Sequence, residues 1–287
     1  MFYEISGLLV EVQGDEYLNE RMAEYQVRSP ISGGRICDLR IINRLKTQIE
    51  KPQGQEVTHS LFWKLVQTNE GQSLYRNLPG FEDIVSARID FNKNGADISV
   101  LKHPNPETLE IDDERMFRFA GHSFGHILLN HQRLVLHGSC IRVNGKAIIF
   151  SAPSGTGKST HTNLWMENVD GVEFINDDTP VIRLDKGEAV YACGSPWSGK
   201  TQLNSNISAP LAAIVLLERG VENKIERVGN IEAFARVLGE IRKFAFKESI
   251  EASVSLCEKL ITRVPVYKLS CNISSQAVET VREELML

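Results

Sequence analysis

The sequence predicts an α/β protein, α+β overall, with a mixed-sheet core and a smaller N-terminal α+β domain. Three observations predict this class. Strand-like and helix-like segments alternate after residue 110, a glycine-rich loop joins a strand to a helix at 152–159, and hairpins follow that helix at once. The chain has 287 residues, enough for two domains at about 150 residues each. We place an N-terminal domain at 1–110, with an expected role in recognition or assembly, and a larger C-terminal domain at 111–287.

The N-terminal region is predicted to hold strands over 2–12 and 81–91, with a third strand over 96–104. The turn-forming pair Asn94-Gly95 would join the last two as a hairpin. The apolar pattern of 59–67 predicts a short helix. Two prolines and five acids in 103–114 indicate a connector, so the boundary falls near residue 110.

The C-terminal region is predicted to begin with a helix over 114–132, and its further elements follow from apolar periodicity. The predicted strands cover 133–143, 145–152, 172–176, 179–184, 188–193, 209–218 and 264–270. The predicted helices cover about ten residues from Lys158, a segment marked by Phe234, Val237, Leu238, Ile241 and Phe244, and the segments 248–262 and 274–285.

Composition excludes several classes of protein. Hydrophobic residues make up 42% and charged residues 24%, which is typical of a folded globular chain. The net charge of −5 argues against a general nucleic-acid partner, because phosphate binding needs a basic surface. The longest apolar run, Leu211–Leu217, is far shorter than the about 20 residues of a membrane span, and 1–4 show no signal-peptide pattern. We therefore expect a cytoplasmic protein with no membrane partner.

Cysteine and histidine spacing gives no strong metal signal. The cysteines are widely spaced and odd in number, which predicts reduced, buried thiols; they are Cys37, Cys140, Cys193, Cys257 and Cys271. His122 and His126 would share one helix face, but the Glu of H-E-x-x-H is missing. We expect these two to be polar residues on a partly exposed helix.

The strongest motif is the segment Ala152–Ser159. It matches G-x-x-x-x-G-K-[ST] except that Ala152 replaces the first Gly, and it lies between a predicted strand and a predicted helix. Gly155 and Gly157 would let backbone N–H groups face one concavity, and the helix N-terminus would add positive charge. Lys158 would neutralise the β and γ phosphates, and the Ser159 hydroxyl would suit Mg²⁺.

Two adjacent acids follow the motif closely. Asp177 and Asp178 end a short strand 19 and 20 residues after Lys158. Phosphoryl transfer needs a carboxylate for Mg²⁺ and a base for the acceptor, and both would be present here. The short gap argues against the common parallel P-loop fold and favours a mixed sheet.

Two further segments supply candidate residues. His137 lies in the strand before the glycine-rich loop, and a hairpin would bring it to the site, where it could orient an aspartate. The loop 194–200, GSPWSGK, contains Lys200, which could neutralise developing phosphate charge, and Trp197, which could cover a ligand or plug the loop.

The order of His137-Gly138, the glycine-rich loop, Asp177-Asp178, GSPWSGK and APLAAIVLLE resembles the catalytic domain of HPr kinase/phosphorylase. More broadly, it is similar to the superfamily that includes ATP-dependent phosphoenolpyruvate carboxykinase, over about residues 112–285. The resemblance implies a mixed-sheet P-loop core flanked by helices. It also implies Mg²⁺ ligands at Ser159 and Asp178, a general base at Asp177 supported by His137, and a nucleotide-phosphate site formed by Ser154, Gly155, Thr156, Gly157, Lys158, Ser159 and Thr160.

This sequence departs from the HPr kinase pattern at several positions. Ala152 and Thr160 stand where many HPr kinases have a Gly and an acidic residue, and GSPWSGK replaces their glycine-rich signature. These departures argue against HPr as the acceptor and against the reverse phosphorylase reaction. The chain looks more like HPr-kinase-related proteins found beside peptide-modification enzymes. Some of these, such as lasso-peptide kinases, are understood to phosphorylate a serine of a precursor peptide.

The expected activity is transfer of the γ-phosphoryl of ATP, with Mg²⁺, to a serine hydroxyl of a peptide or small protein. One alternative is a kinase for a small molecule such as free serine. A phosphoenolpyruvate carboxykinase-like enzyme is disfavoured because its Mn²⁺ site and carboxylate-binding arginines are not recognisable. A nucleotide-binding regulator without catalysis stays open, although the Asp pair argues against it. A homo-oligomer is a further open expectation.

Overall fold

The computed structural model describes residues 1–28, 37–59, 63–103, 109–244 and 246–287. The chain is a mixed α/β protein with two mixed sheets, as the sequence predicted at this level. Its contacts form two compact units, one of Met1–Ile127 with Lys243–Ser249 and one of Leu128–Arg242 with Ile250–Leu287. The predicted domain boundary near residue 110 stays a prediction.

The first unit contains a nine-stranded sheet in the order β3-β1-β2-β4-β9-β8-β7-β6-β5. Only the β2–β4 and β4–β9 pairs of this order are parallel. The strands are β1 (Phe2–Ile5), β2 (Leu8–Gln13), β3 (Gln26–Val27), β4 (Leu39–Lys46), β5 (Gln55–His59), β6 (Lys64–Gln67), β7 (Gln72–Leu78), β8 (Phe81–Asn92) and β9 (Gly95–Leu101).

The predicted helix over 59–67 is wrong, whereas the predicted hairpin at Asn94-Gly95 is confirmed. β5 ends at His59, β6 covers Lys64–Gln67 and the two strands pair antiparallel, whereas residues 60–62 lie outside the described residues. Leu65 and Val66 are both buried, because β6 also pairs with β7, and this tertiary pairing outweighs local helical spacing. β8 and β9 pair antiparallel up to the turn.

The second unit contains the other nine-stranded sheet, in the order β10-β14-β15-β16-β12-β11-β13. β18 also pairs with β16, and β17 pairs with β18. β16 is parallel to both β12 and β18, whereas the other pairs are antiparallel. The strands are β10 (Arg133–Val135), β11 (Gly138–Val143), β12 (Lys146–Ser151), β13 (Glu173–Asn176), β14 (Val181–Leu184), β15 (Val190–Cys193), β16 (Ser208–Arg219), β17 (Lys224–Arg227) and β18 (Val266–Cys271).

The helices of the described chain confirm most of the predicted helical segments. They are α1 (Glu16–Arg21), α2 (Leu109–Leu128), α3 (Lys158–Asn168), α4 (Asn230–Glu240), α5 (Lys247–Arg263) and α6 (Ser275–Leu285). The helix marked by Phe234 ends at Glu240, so its predicted extension to Phe244 is wrong. Phe244 instead packs on Phe91 within the first unit, with ring centroids 5.7 Å apart.

Apolar side chains cover both faces of the second sheet. Ile149 of β12 lies in a cluster that includes Val237 of α4 and Leu260 of α5. Its neighbour Phe150 points to the opposite face, in a cluster with Trp165 of α3 and further residues of α6. Alternation along β12 therefore anchors helices on both sides, and the loop that follows β12 begins from a fixed strand.

Strand order also places the predicted site segments. The predicted strand 133–143 is interrupted, because Leu136 makes an isolated bridge to Ile241 and β11 begins only at Gly138. β11 pairs antiparallel with β12, which confirms the predicted hairpin, and it also pairs with β13. The segments that precede Gly138, follow Ser151 and follow Asn176 therefore meet at one end of these three strands.

His126 differs from its expected exposure. Its ring is buried among the rings of Phe91, Phe244 and Phe246, and Ser249 Oγ lies 3.0 Å from its Nδ1. Burial lowers the pKa of His126 to about 4. His122 is exposed, as predicted. The described residues hold no group of three or more His, Cys, Asp or Glu side chains arranged for a metal ion.

All five cysteines are free, but only Cys140, Cys193 and Cys257 are fully buried, so the expected burial is wrong for Cys37 and Cys271, which are half-buried. Among the described helices, none is both long enough and apolar enough to cross a membrane.

The buried histidine of α3 makes stability depend on pH. Trp165 Nε1 donates to Nε2 of His161 at 3.2 Å, and the His161 ring lies 4.6 Å from that of Phe150. Burial lowers the pKa of His161 from 6.5 to about 4. The unfolded chain therefore binds a proton that the folded chain excludes, and stability is lost as the pH falls from about 6.5 to about 4.

Wild-type protein should lose unfolding free energy between pH 7 and pH 4, because His161 binds a proton in the unfolded state but not in the folded state. We predict that His161→Gln makes this loss smaller by about 2 to 3 kcal/mol, because the substituted side chain binds no proton in either state. Urea unfolding at the two pH values measures this difference. The control is His122→Gln, at an exposed histidine, which should leave the pH dependence as in the wild type. A His161→Gln protein with the wild-type pH dependence would contradict the linkage.

Candidate active site

A glycine-rich loop, residues 152–157, joins β12 to the first residue of α3. Gly155 and Gly157 have φ of 80° and 123°, a backbone region that L side chains rarely adopt. A Cβ at either position would meet open space, so backbone conformation rather than crowding requires glycine. Within the described chain, no side-chain hydrogen bond caps α3 at Gly157. The first amides of α3 therefore keep their ability to bind an anion.

Lys158 is buried and lies against this loop. Its Nζ donates to the carbonyl of Ala152 at 2.8 Å and to that of Pro153 at 3.4 Å. Burial lowers the pKa of Lys158, and the nearby Arg242 lowers it further. The negative charges of Glu240, Asp178 and Asp177 act in the opposite direction, in that order of size. These three carboxylates thus favour the charged form of Lys158.

Asp177 is buried and is connected to α3 through two hydroxyls. Ser139 Oγ donates to Asp177 Oδ1 at 2.6 Å and lies 2.9 Å from Thr162 Oγ1. Thr162 Oγ1 is also within hydrogen-bond distance of the carbonyls of Lys158 and Ser159, at 3.2 Å each. These contacts connect the Asp177 carboxylate, through Ser139, to Thr162 of α3.

Asp178 is more exposed and faces His137. Its side chain is 32% exposed, and its Oδ1 lies 3.5 Å from Nε2 of His137. The other ring nitrogen, Nδ1, lies 2.8 Å from Glu240 Oε2, and the His137 N–H donates to the Glu240 carbonyl at 2.9 Å. The last residue of α4 therefore holds His137 through both its backbone and its side chain.

The charge state of His137 follows from its burial. Burial lowers the pKa of His137, Arg242 and Lys158 lower it further, and the bond to Glu240 and the charge of Asp178 raise it. A neutral ring that donates Nδ1–H to Glu240 has a lone pair at Nε2. That lone pair points at Asp178, and 3.5 Å is too long for a strong hydrogen bond. Two acceptors therefore face each other, so a neutral His137 forms no hydrogen bond with the ionised Asp178 carboxylate and would accept one only from a protonated Asp178.

Asn176 holds the acidic turn and the loop 194–200 together. Its Nδ2 donates to the carbonyls of Ser195 at 2.9 Å and Trp197 at 3.0 Å. Its Oδ1 accepts from the N–H groups of Asp178 at 3.0 Å and Thr179 at 2.6 Å. Both ends of one fully buried amide are thus used to fix the backbone that carries Asp178.

The loop 194–200 packs directly against Asp178. Gly199 has φ of 69°, and a Cβ there would lie 2.9 Å from the Cβ of Asp178. Trp197 is 7% exposed, so the structure places it as a buried plug rather than as a cover for a ligand. Lys200 is exposed and adjoins the glycine that contacts Asp178.

The structure therefore brings together His137, Lys158, Asp177 and Asp178 of the predicted site. Of the other predicted loop residues, Ser154, Gly155 and Thr160 are exposed, and Thr156, Gly157 and Ser159 are half-buried. No described contact joins Lys200 to this group. His137 contacts Asp178, whereas the sequence had paired it with Asp177 in function; the roles of the individual residues stay predictions.

Sequence reasoning missed Ser139, Glu240, Arg242 and Arg219. Arg219, at the end of β16, donates through Nη2 to the carbonyl of Gly155 at 2.6 Å and through Nε to that of Thr156 at 3.3 Å. The sequence did contain one indication for Glu240. A negative side chain at the C-terminus of a helix is unfavourable because of the helix dipole, so an acidic residue there suggests a role other than stabilising the helix.

Comparison with known proteins shows the family. A family model described as "ScmC: SynChlorMet cassette protein ScmC" matches residues 122–286. The chain belongs to this family. The matched range contains His137, the glycine-rich loop, the two aspartates and Lys200. No curated protein matches the chain.

Among solved structures, the chain is similar to the Hpr(Ser) kinase/phosphatase from Coxiella burnetii. The identity is 10% and the TM-score is 0.32, over 53% of this chain and 96% of that chain.

The Asn176 contacts generate a prediction about stability. We expect Asn176→Ala to lower the unfolding free energy by about 2 to 4 kcal/mol, because it leaves buried backbone donors and acceptors without partners. Urea unfolding at neutral pH measures the loss. The control is Asn168→Ala, which removes one exposed bond to the carbonyl of Leu164 and should change stability by no more than about 0.5 kcal/mol. Equal effects of the two substitutions would show that Asn176 does not hold the acidic turn.

Proposed function

We propose that this protein is an ATP- and Mg²⁺-dependent kinase that transfers the γ-phosphoryl group to a serine hydroxyl of a peptide or small protein. One observation carries the proposal: β11 pairs with both β12 and β13, so the glycine-rich loop that ends at Lys158 and the turn that holds Asp177 and Asp178 lie at the same end of these strands. A polyphosphate-binding loop and two carboxylates in one cluster are the groups that phosphoryl transfer requires.

The residues present fit Mg-ATP. The uncapped amides of α3 and the left-handed glycines suit phosphate oxygens, and Lys158 supplies a full positive charge. The Ser159 hydroxyl and the aspartate carboxylates are oxygen donors of the kind that Mg²⁺ prefers, beside phosphates and water. Bound Mg-ATP would supply the transferable phosphoryl group.

The loop and Lys158 orient the phosphates and stabilise negative charge. Lys158 Nζ now donates to two loop carbonyls, so it lies beside the loop amides and can exchange these bonds for phosphate oxygens. Because Lys158 is buried, its charge acts in a region where water screens it weakly. Lys200 follows the glycine that packs against Asp178 and is exposed, and we propose it as a second cation that reaches the transferring group once nucleotide is bound.

The geometry favours Asp178 as the base and Asp177 as the carboxylate on the metal side. The sequence suggested the reverse assignment. Asp178 is partly exposed, so an acceptor hydroxyl can reach it, and His137 lies behind it. Asp177 is 4% exposed and is linked through Ser139 to Thr162 of α3, the helix that also carries Ser159.

His137 and Glu240 act through Asp178 and are positioning residues. Glu240 fixes the His137 ring by accepting from Nδ1, which leaves Nε2 facing the Asp178 carboxylate. When Asp178 takes the proton of the acceptor hydroxyl, the Nε2 lone pair can accept a hydrogen bond from the new carboxylic acid. This arrangement stabilises the protonated base while transfer proceeds.

The family description suggests where to look for the acceptor. It names a cassette, and we take the polypeptides encoded with this chain as the first candidates. A serine hydroxyl is proposed because the partly exposed Asp178 suits deprotonation of an alcohol. Free serine is the small-molecule alternative and belongs in the same assay.

We predict that Asp178→Asn lowers phosphoryl transfer by about 10² to 10⁴-fold while Mg-ATP still binds, because a general base is removed without a change of shape. Mass spectrometry of cassette polypeptides and of free serine, incubated with protein and Mg-ATP, measures the transfer. Asp177→Asn is the matched variant, and it should instead raise the Mg²⁺ concentration needed for half-maximal rate.

Other outcomes would change the assignment. Full loss of transfer in Asp177→Asn at saturating Mg-ATP, with a near-normal rate in Asp178→Asn, would return the base to Asp177. ATP binding without transfer to any acceptor would favour the nucleotide-binding regulator.

A further inference from the structure

A cavity of about 420 Å³ lies beside the glycine-rich loop in the second unit. Its walls include loop residues 155–157, the side of α3, and the chain that follows β16 and β18. This volume lies within the about 300 to 1,000 Å³ of typical small-molecule sites. The lining residues used below are Thr160, Leu164, Leu217, Arg219, Cys271 and Ile273.

We propose that this cavity holds the base of the nucleotide and that it accepts adenine and guanine with little discrimination. The proposal rests on the proposed function, because the loop must first hold the phosphates.

The helix α3 separates the cavity from the carboxylates. Lys158 and Thr162 are four residues apart and therefore share one face of α3, and Thr162 reaches Asp177 through Ser139. Thr160 and Leu164 also share a face, about 200° around the helix from the first pair, and both line the cavity. A nucleotide with its phosphates on the loop would direct its γ-phosphate to one side and its base to the other.

The cavity wall is suited to stack on a flat ring. Leu217 is buried, Leu164 is half-buried, and Ile273 is 79% exposed at the rim. The Arg219 guanidinium donates in its plane to the carbonyls of Gly155 and Thr156. Such a guanidinium keeps its faces available for stacking on an aromatic ring. A base in the cavity would therefore bury apolar surface and contact a cation held beside the phosphate loop.

Several polar side chains around the cavity already have intramolecular partners. The Asn272 amide donates to the Val221 carbonyl at 2.9 Å and accepts from Ser274 Oγ at 2.5 Å. Glu218 pairs with Arg236, and His161 Nε2 accepts from Trp165. A site discriminates strongly between similar ligands when its own polar groups would be left unpaired by the wrong one. The partners of Asn272, Glu218 and His161 reduce that source of selectivity.

The first test measures which part of the nucleotide contacts the cavity. Calorimetry gives the Kd values of Mg-ATP, Mg-GTP and Mg-tripolyphosphate for the full chain. We expect the two nucleotides to differ by less than about tenfold. Ile273→Ser should weaken both about fivefold and leave tripolyphosphate unchanged, because it removes an apolar contact to the base only. Val221→Ser, at an exposed apolar residue outside the cavity lining, is the matched control and should change none of the three.

The second test needs no substitution. Cys271 lines the cavity and is half-buried, so a base bound there would shield it from an alkylating reagent. Burial raises the pKa of Cys271, so the reaction is run at mildly alkaline pH. Mg-ATP and Mg-GTP should slow alkylation of Cys271, located by mass spectrometry, whereas tripolyphosphate should not. Cys37, which is half-buried in the first unit, serves as the internal control.

The outcomes separate this proposal from the proposed function. The cavity proposal would be overturned, and the proposed function would remain, if three results came together. ATP and tripolyphosphate would bind equally tightly, neither nucleotide would protect Cys271, and Ile273→Ser would have no effect on binding. A preference for one base greater than about a hundredfold would overturn the claim of weak discrimination. Failure of every polyphosphate to bind would overturn the proposed function itself.

Discussion

The pairing of β11 with both β12 and β13 is the constraint on which the candidate site depends. It places Gly138 opposite Ser151, at the start of the glycine-rich loop, and Cys140 opposite Asn176, just before the acidic pair. The approach at Gly138 is close, since a Cβ there would lie 2.7 Å from Ile149 Cγ2 and 2.9 Å from the Phe150 carbonyl. Ser151 Oγ also donates to the His137 carbonyl at 2.8 Å. His137, Lys158, Asp177 and Asp178 therefore lie near the same end of β11, β12 and β13.

Electrostatics explain how an acidic chain can hold an anion. The net charge is −5, so no general basic surface is expected. The charges around the loop are mixed. Lys158 and Arg242 are positive, and the carboxylates of Glu240, Asp178 and Asp177 are close enough to affect the pKa of Lys158. Backbone amides and a divalent cation would add the positive charge that a polyphosphate needs, and both act only over a short distance.

Local sequence predicted the parts of the site that are contiguous in the chain. The strand, glycine-rich loop and helix around Lys158 follow from a motif with its periodic flanks, and the acidic turn follows from a short apolar strand. Glu240 could not be predicted in this way, because it is 103 residues from His137 and meets it only through the folded sheet. The β5–β6 hairpin was missed for the same reason, since the pairing of β6 with β7 decides its state. Phe244 shows the limit of periodicity, because its helical spacing continues after α4 has ended.

The central claim is that the glycine-rich loop holds the polyphosphate of Mg-ATP through Lys158. Calorimetric titration of Mg-ATP into the wild type and into Lys158→Met tests it most directly, with Lys186→Met as a control at an exposed lysine of a turn. Loss of a charge-assisted bond should weaken binding by about 10 to 100-fold in Lys158→Met, while Lys186→Met binds as the wild type does. Equal Kd values in all three proteins would contradict the account.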